Sequence, residues 1–115
     1  MFVEEGAVVR DSIIFHDAHI EAGAVIDRSI IDKEAYIGQN CRIGHGDDWT
    51  PNRERPDIVG CGVTIIGKRA KVAAGVSVGR NCVIGPGVSA SGLEDSHIAS
   101  GTTIRAHQRT APFSV

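Results

Sequence analysis

The hydrophobic positions of this chain recur every six residues. Between residues 66 and 89, aliphatic side chains fall at Ile66, Val72, Val78 and Ile84. Four positions after each of these comes a second small or β-branched residue, in the order Ala70, Val76, Cys82 and Val88. A helix repeats about every 3.6 residues and does not match this spacing, whereas six is three times the strand period of two. The pattern therefore predicts short strands with one corner in every six residues.

Three such sides close a triangular coil of about 18 residues, and successive coils stack with parallel strands about 4.8 Å apart. The residue three places after an aliphatic position is often Gly or Asn, which tolerate the positive φ of a tight corner. These predicted corner residues are Gly6, Gly23, Asn40, Gly75, Asn81, Gly87 and Gly101. We therefore expect an all-β chain of about five stacked coils.

The first third of the chain repeats with a slightly shorter period. Residues 6–22 read GAVVRDSIIFHDAHIEA and residues 23–39 read GAVIDRSIIDKEAYIGQ, an offset of 17 residues from Gly6 to Gly23. Two sides of five residues explain the deficit, and they carry Ser12 and Ser29 before their last residue. A third short side is expected at 93–97. The second set of inward positions is then predicted as Ala7, Ile13, Ala18, Ala24, Ile30, Ala35 and Cys41.

The repeat stops between Gly44 and Val63 and resumes afterwards. The interrupting segment contains the single Trp, Trp49, two of the four prolines and a mixed group of charges. Repeat proteins place such insertions as loops on one face, which is often the binding face. We expect one domain over 1–115, with coils over 3–44 and 63–106, an inserted loop over 45–62 and a polar tail over 107–115. Trp49 either covers the side of the coil or anchors a partner domain.

Composition and charge exclude several classes of function. The net charge is −2 and no basic block is present, which argues against a nucleic-acid partner. No apolar run reaches membrane-spanning length. The odd count of cysteines, with no close pair, indicates free thiols in a reducing compartment, the cytoplasm. Cys41 and Cys82 occupy predicted core positions, and Cys61 falls in the inserted loop.

Three segments of the chain resemble a known family. They are IIDKEAYIG at 30–38, GDDWTPNRERPD at 46–57 and VTIIGKRAKVAAGVSVGRN at 63–81. Together they resemble the C-terminal domain of glucose-1-phosphate adenylyltransferases, and the resemblance runs from about Val3 to Ile104. It implies a single-stranded left-handed parallel β-helix of hexapeptide repeats with one loop insertion. The left hand comes from this resemblance, because the spacing predicts a coil and not its hand.

The resemblance also implies that catalysis and regulation belong to different domains. In that family an N-terminal nucleotidyltransferase domain uses ATP and Mg²⁺ to make ADP-glucose from glucose 1-phosphate for glycogen synthesis. The β-helix domain packs against it and contributes to oligomerisation and allosteric regulation. The family's nucleotide loop and sugar-phosphate lysine belong to the N-terminal domain, and nothing here resembles them. We therefore expect a non-catalytic domain of a longer chain, without a cofactor of its own. Guanylyltransferases acting on mannose 1-phosphate carry similar hexapeptide tails and stay an alternative.

Other hexapeptide proteins are enzymes by themselves. An acyltransferase of this class would use His45 or His97 as its general base, although a base also needs an orienting partner. A carbonic anhydrase of the γ class would need three histidines on zinc. His16 and His19 should point to different sides of a coil, and the close histidine pair of that class is absent beside His97 and His107. We therefore predict no metal ligands.

Two further surface roles follow from charge and geometry. An anionic sugar-phosphate effector is predicted to bind a group of four cations, Arg53, Arg55, Lys68 and Arg69. Self-association is predicted at the coil ends or at an exposed flat side. The hexads begin almost at once with Phe2 and Val3, and an uncovered rung presents unpaired N–H and C=O groups.

Overall fold

The computed structural model describes residues 2–57, 59–90 and 97–105. The regular elements of this part of the chain are all short strands. They are β1 (Phe2–Val3), β2 (Val8–Arg10), β3 (Ile13–Ile14), β4 (His19–Ile20), β5 (Val25–Asp27), β6 (Ser29–Ile31), β7 (Tyr36–Ile37), β8 (Arg42–Ile43), β9 (Thr64–Ile66), β10 (Lys71–Val72), β11 (Ser77–Val78), β12 (Val83–Ile84), β13 (Ser89–Ala90), β14 (His97–Ile98) and β15 (Thr103–Ile104).

The strands form three parallel five-stranded sheets, and the chain visits each sheet in turn. The first sheet has the order β1-β4-β7-β10-β13, the second contains β2-β5-β8-β11-β14, and the third contains β3-β6-β9-β12-β15. Each strand therefore pairs with the third strand after it, and every set of three strands makes one coil. This arrangement confirms the predicted β-helix of five coils, whose three sides are the three sheets.

The predicted corner residues adopt the predicted backbone conformation. All of them have positive φ, from 58° at Asn40 to 84° at Gly6. In the two shortened corners, Asp11 and Arg28 take this conformation instead, with φ of 48° and 46°. The third predicted short side, 93–97, lies mostly outside the described residues.

The hexad positions form the core of the coil. Their side chains, one from each sheet in each coil, stack along the inside and exclude water. The fully buried members are Ile20, Ile26, Ile31, Ile37, Ile43, Ile66, Val72, Val78 and Ile84. The smaller inward residues Ala18, Ala24, Ala35, Ala70 and Cys41 fill the corners between them. Each large aliphatic side chain contributes about 1.5–3 kcal/mol on burial, so this single column accounts for most of the hydrophobic stabilisation.

Two of the predicted inward positions are wrong. Ile13 is 56% exposed and Ile30 is half-buried, whereas Ser29 is buried. The shortened side lacks one corner residue, so the serine takes the inward place and strand alternation turns the next isoleucine outward. The serines also satisfy the tightened backbone: Ser29 Oγ donates to the Asp27 carbonyl oxygen (2.8 Å), and Ser29 N donates to Ser12 Oγ (3.0 Å).

This shift gives the third sheet an apolar outer row. The strand register aligns Ile13 with Ile30, Ile30 with Ile65, and Ile65 with Val83. We call these four residues the outer ladder. Every member is partly or fully exposed. Aliphatic side chains in an unbroken row are unusual on the outer face of a sheet.

The first coil leaves one end of the core open. Val3 and Val9 occupy inward positions but are 39% and 38% exposed, whereas Ile20 and Ile26, one coil further on, are fully buried. The strands β1, β2 and β3 each lie at an edge of their sheet. The apolar column is therefore exposed at this end of the described structure. The predicted polar tail, 107–115, lies outside the described residues.

Candidate functional site

The inserted loop leaves the coil between β8 and β9, at the corner that joins the second sheet to the third. The loop folds back onto the corners of the following coils instead of extending into solvent. The backbone N–H of Arg53 donates to the Gly101 carbonyl oxygen (3.0 Å), and Val59 is buried. The loop is therefore an integral part of this surface.

A buried asparagine in the loop holds it in place. Asn52 is fully buried, and its Nδ2 donates to the Asn81 carbonyl oxygen (3.0 Å) and to Thr103 Oγ1 (2.9 Å). Its Oδ1 accepts hydrogen bonds from the backbone N–H groups of Glu54 and Arg55, both at 3.0 Å. A buried amide is stable only when its donors and acceptors are paired, and this one connects the loop with two coils.

A second buried asparagine, in the coil, also hydrogen-bonds to the loop. Asn81 Oδ1 accepts a hydrogen bond from Gly62 N (2.7 Å), and its Nδ2 donates to the carbonyl oxygens of Trp49 (3.2 Å) and Thr50 (3.1 Å). The same side chain therefore binds both ends of the loop. The sequence marked Asn81 only as a corner residue, and did not mark Asn52 at all.

Trp49 lies between two arginines. Its ring centroid is 4.7 Å from the guanidinium carbon of Arg80 and 5.3 Å from that of Arg28. The ring also packs directly against Gly62, where a Cβ atom would collide with it. The side chain remains 45% exposed. Trp49 thus covers the corner of the coil through cation–π contacts, and still presents a large apolar surface to solvent.

Arg80 connects this tryptophan with the second sheet. Its Nε donates to the Gly46 carbonyl oxygen (2.6 Å), and its Nη2 lies 3.2 Å from Asp27 Oδ2. Asp27 also lies near Arg10, with 3.9 Å between Oδ1 and Nε. Among the described residues, the buried Nη1 atom of Arg80 has no hydrogen-bond partner. The Arg80 side chain is therefore fixed by these contacts, while its Nη1 group remains available to donate to a ligand.

A groove of about 320 Å³ opens beside these residues, on the outer face of the second sheet. Its charged and titratable lining consists of Arg10, Asp27, Arg42, His45, Asp47 and Arg80. Three arginines against two aspartates leave an excess of positive charge. Guanidinium groups bind phosphate and carboxylate through paired N–H donors, so the groove suits an anionic ligand.

The structure does not gather the four predicted effector residues into one cluster. Arg53 and Arg55 belong to the inserted loop, whereas Lys68 and Arg69 lie in the turn after β9, at the next corner of the triangle. Arg69 Nε already donates to Glu34 Oε1 (2.7 Å), and this contact holds the pKa of the Glu34 carboxyl below its ordinary value. An effector site built from all four cations would have to span two corners.

The arginines of the groove were missed by the sequence analysis, although a signal for them existed. The 17-residue offset places Arg10 beside Asp27, and the register of β2 and β5 pairs these two residues. Arg42 lies in the same sheet, next to Val25. The repeat therefore predicts which outward residues become neighbours. Arg80 enters the groove from a corner, and no local pattern marks it.

The two histidines proposed for acyl transfer lie apart. His45 lines the groove in the third coil, and His97 begins β14 in the fifth coil, so that β11 separates the two positions. In the described part of the chain, the His45 imidazole forms no hydrogen bond that would orient it as a base. His16 lies in the turn between β3 and β4, and His19 begins β4. His19, however, lies close to Glu4 and Glu21 on the first sheet.

The cysteines behave as their positions predict. Cys41 and Cys82 are buried, and burial raises the pKa of both thiols. Neutral thiols in a dry core act as small hydrophobic groups. Cys61 is exposed in the inserted loop, and all three thiols are free.

No helix in the described residues has the length and apolar character needed to cross a membrane.

Comparison with known proteins agrees with the fold. Residues 1–66 match the family model described as GlmU-like, C-terminal hexapeptide, and residues 58–89 match the model described as hexapeptide repeat of succinyl-transferase. The chain is 46% identical over 95 residues to a glucose-1-phosphate adenylyltransferase of Thermomicrobium roseum, a match that covers 83% of this chain and 22% of that protein. It is 34% identical over 104 residues to the Acetivibrio thermocellus enzyme of the same name, covering 90% of this chain and 24% of that protein.

The chain therefore spans about a quarter of the length of these relatives. No solved structure matches it. The first family model covers more than half of the chain, from the first coil to the end of β9. The repeat, the five triangular coils and these matches together show that the chain belongs to the GlmU-like C-terminal hexapeptide family, as a left-handed β-helix domain of the type found in glucose-1-phosphate adenylyltransferases.

Proposed function

We propose that this chain is the non-catalytic β-helix domain of a glucose-1-phosphate adenylyltransferase-like protein, where it supports assembly and regulation. The observation that carries the proposal is the 46% identity over 83% of the chain to an enzyme of that name, of which only 22% is covered. Adenylyl transfer would belong to an N-terminal nucleotidyltransferase domain, which would use ATP and Mg²⁺ to make ADP-glucose for glycogen synthesis in the cytoplasm. The free thiols support a reducing compartment.

The outer ladder is the surface best suited to that partner domain. Its four aliphatic side chains lie in register on the outer face of the third sheet, and Phe15 adds a 42% exposed ring just after β3. Contiguous exposed apolar surface of this kind marks protein–protein contacts. Trp49 lies at the corner that borders this face and offers a second apolar contact. We propose that the nucleotidyltransferase domain packs on the ladder, with Trp49 at the edge of the interface.

A chimeric enzyme tests this function directly. This chain would replace the matching segment of the Thermomicrobium roseum enzyme, and release of pyrophosphate from ATP and glucose 1-phosphate would be measured. We expect activity within about tenfold of the parent, since the interface residues are supplied by a close relative. Ile65→Asp in the chimera should reduce activity or assembly, whereas Ser77→Asp on the second sheet should not. An inactive, well-folded chimera would contradict the proposal.

The isolated chain should not catalyse a reaction alone. We expect no turnover with ATP, glucose 1-phosphate and Mg²⁺, and none with acetyl-CoA and sugar acceptors. Steady acetyl transfer that His45→Ala abolishes would instead support the stand-alone acyltransferase. A chimera active with GTP and mannose 1-phosphate but not with ATP would favour the guanylyltransferase alternative.

The arginine groove supports a second, regulatory role. Arg10, Arg42 and Arg80 line one concave surface, whereas the four cations predicted from the sequence divide between two corners. We therefore place the anionic effector in the groove, with Arg53 and Arg55 in the adjacent loop. In the chimera, Arg42→Gln should weaken activation or inhibition by sugar phosphates about tenfold, and Lys68→Gln should have a smaller effect. Equal effects of both changes would contradict this placement and favour an effector site that includes Lys68.

A further inference from the structure

Three potential ligand side chains meet at the edge of the first sheet. Glu4 follows β1, His19 begins β4 and Glu21 follows β4. The register of β1 and β4 pairs Phe2 with His19 and Val3 with Ile20. It therefore stacks Glu4 directly above Glu21, one coil apart, with His19 on the same outer face. The 17-residue offset of the first two coils creates this juxtaposition, although the sequence analysis did not mark it.

The distances between the three side chains match a metal coordination shell. His19 Nε2 lies 3.1 Å from Glu21 Oε2 and 3.4 Å from Glu4 Oε2. One ligand atom from each residue lies within 4.8 Å of the other two. Ligands about 2.1 Å from a tetrahedral Zn²⁺ ion are themselves separated by about 3.4 Å. An ion would therefore fit between these atoms with little movement.

The electrostatics of the cluster also favour a cation. Two carboxylates that face each other on adjacent strands repel. Both lie in partly buried positions, where solvent screens them less than on an open surface. The closest lysine in the outer row of this sheet is Lys71, and Tyr36 lies between it and His19. A divalent ion between Glu4 and Glu21 would offset their charge.

Tyr36 provides the kind of support that metal ligands normally have. Its hydroxyl donates to Glu21 Oε2 at 2.8 Å, and its ring centroid is 5.5 Å from that of His19. Residues that hydrogen-bond to a ligand and restrict its orientation are a regular part of metal sites. Here one aromatic side chain positions both Glu21 and His19.

We propose that Glu4, His19 and Glu21 bind one divalent transition-metal ion, with Zn²⁺ as the best match for one imidazole nitrogen and two carboxylate oxygens. Water completes the coordination shell. The site connects the first coil to the second, at the end where the core is open. Its role is therefore structural: metal binding fastens the first coil onto the stack. This inference does not depend on the proposed enzymatic context.

Titration of the complete chain tests the site. After removal of metals with EDTA, Zn²⁺ would be added and followed by calorimetry, and Co²⁺ by its visible absorption. We expect one ion per chain and a thermal unfolding midpoint that rises with Zn²⁺ concentration. His19→Gln should weaken binding at least tenfold, whereas the matched change His16→Gln should leave it unchanged. Tyr36→Phe should weaken binding about tenfold without removing it, because a supporting hydrogen bond is lost.

Circular dichroism of each variant would confirm that it remains folded, and Glu21→Gln with the control Glu5→Gln provides a second pair if His19→Gln does not fold. Absence of stoichiometric binding would overturn the proposal. Binding that persists unchanged in both His19→Gln and Glu21→Gln would also overturn it, because the ion would then occupy a different site.

Discussion

At the scale of single residues, Asn52 and Asn81 connect the inserted loop to the coils. Both are buried, and each amide uses its oxygen and its nitrogen in hydrogen bonds between the loop and the coils. Their removal would leave backbone groups without partners in a dry environment, which costs more than the bonds themselves contribute. The position of Trp49, and through it the edge of the groove, depends on these two side chains.

Asn52→Ala should therefore destabilise the chain by about 1–3 kcal/mol. It would leave the backbone N–H groups of Glu54 and Arg55 without their acceptor. Urea unfolding, with Trp49 fluorescence as the local probe and circular dichroism as the global one, measures the change. The exposed residue Gln39 supplies the control, and Gln39→Ala should stay within about 0.5 kcal/mol of the parent. Equal stability of the two variants would show that the loop is not held by this amide.

The pair formed by Glu34 and Arg69 gives a prediction about pH. Arg69 lowers the pKa of Glu34, so the contact contributes stability above the ordinary pKa of a glutamate and loses it as the pH falls through the lowered value. Arg69→Gln should move the pKa of Glu34 back towards the ordinary range. NMR titration of the Glu34 carboxyl carbon measures this shift, and Lys71→Gln serves as the control. An unchanged pKa would mean that the ion pair does not form in solution.

At the scale of the element, a strand here is only two or three residues long and has no stability alone. Each strand of the three inner coils, β4 to β12, is held because an inward aliphatic side chain meets its equivalents in the neighbouring coils, and because its backbone pairs on both sides. The Val78 side chain is fully buried, whereas Ser77, its neighbour in β11, lies in the outer row between Arg42 and His97. Adjacent residues in one strand should therefore tolerate charge very differently.

Val78→Asp should prevent soluble folding. It removes about 1.5–3 kcal/mol of burial and adds the cost of an unpaired charge in the core. Ser77→Asp, the matched change one residue away, should leave the thermal midpoint nearly unchanged, because its neighbours in the row carry basic side chains. Soluble yield and thermal unfolding of both variants test the hexad register. A Val78→Asp protein with the parent's melting transition would show that the register is wrong.

At the scale of the whole molecule, the first coil exposes part of the apolar core within the described residues. Its inward residues Val3 and Val9 are exposed, and its strands lie at the sheet edges. Repeat proteins normally cover such ends with polar units, because an open rung can pair with another chain. The metal site proposed between Glu4 and Glu21 would fasten this coil but would not cover it.

We therefore predict that the chain forms a dimer or larger assembly through its first coil. Sedimentation over a wide concentration range should show association, and Val9→Lys should shift the equilibrium towards the monomer by placing a charge on the exposed core. Val8→Lys, on the adjacent outward position, is the control. A strictly monomeric parent at high concentration, with the amides of Val3 and Val9 protected from hydrogen exchange, would show that the first rung is covered in another way.

The amino-acid sequence by itself determined the repeating coil. The six-residue spacing of Ile66, Val72 and Val78, the corner residues and the interruption at the inserted loop all depend on near neighbours in the chain. Such local patterns specify which residues point inward and where the chain turns. The exceptions, Ile13 and Ile30, arose where one corner residue is missing and strand alternation, rather than the count of six, decided the direction of the side chain.

The tertiary structure alone decided the contacts that the regular repeat does not specify, which are those of the inserted loop and of the corner residue Arg80. Asn52 and Asn81 are 29 residues apart, and Arg80 and Asp27 are 53 apart. A shift of a single residue in one coil changes every such contact, while the inward pattern of the other coils stays the same. The core is specified by hydrophobic periodicity within each coil, but the loop, the groove and the metal ligands are specified by the register between coils.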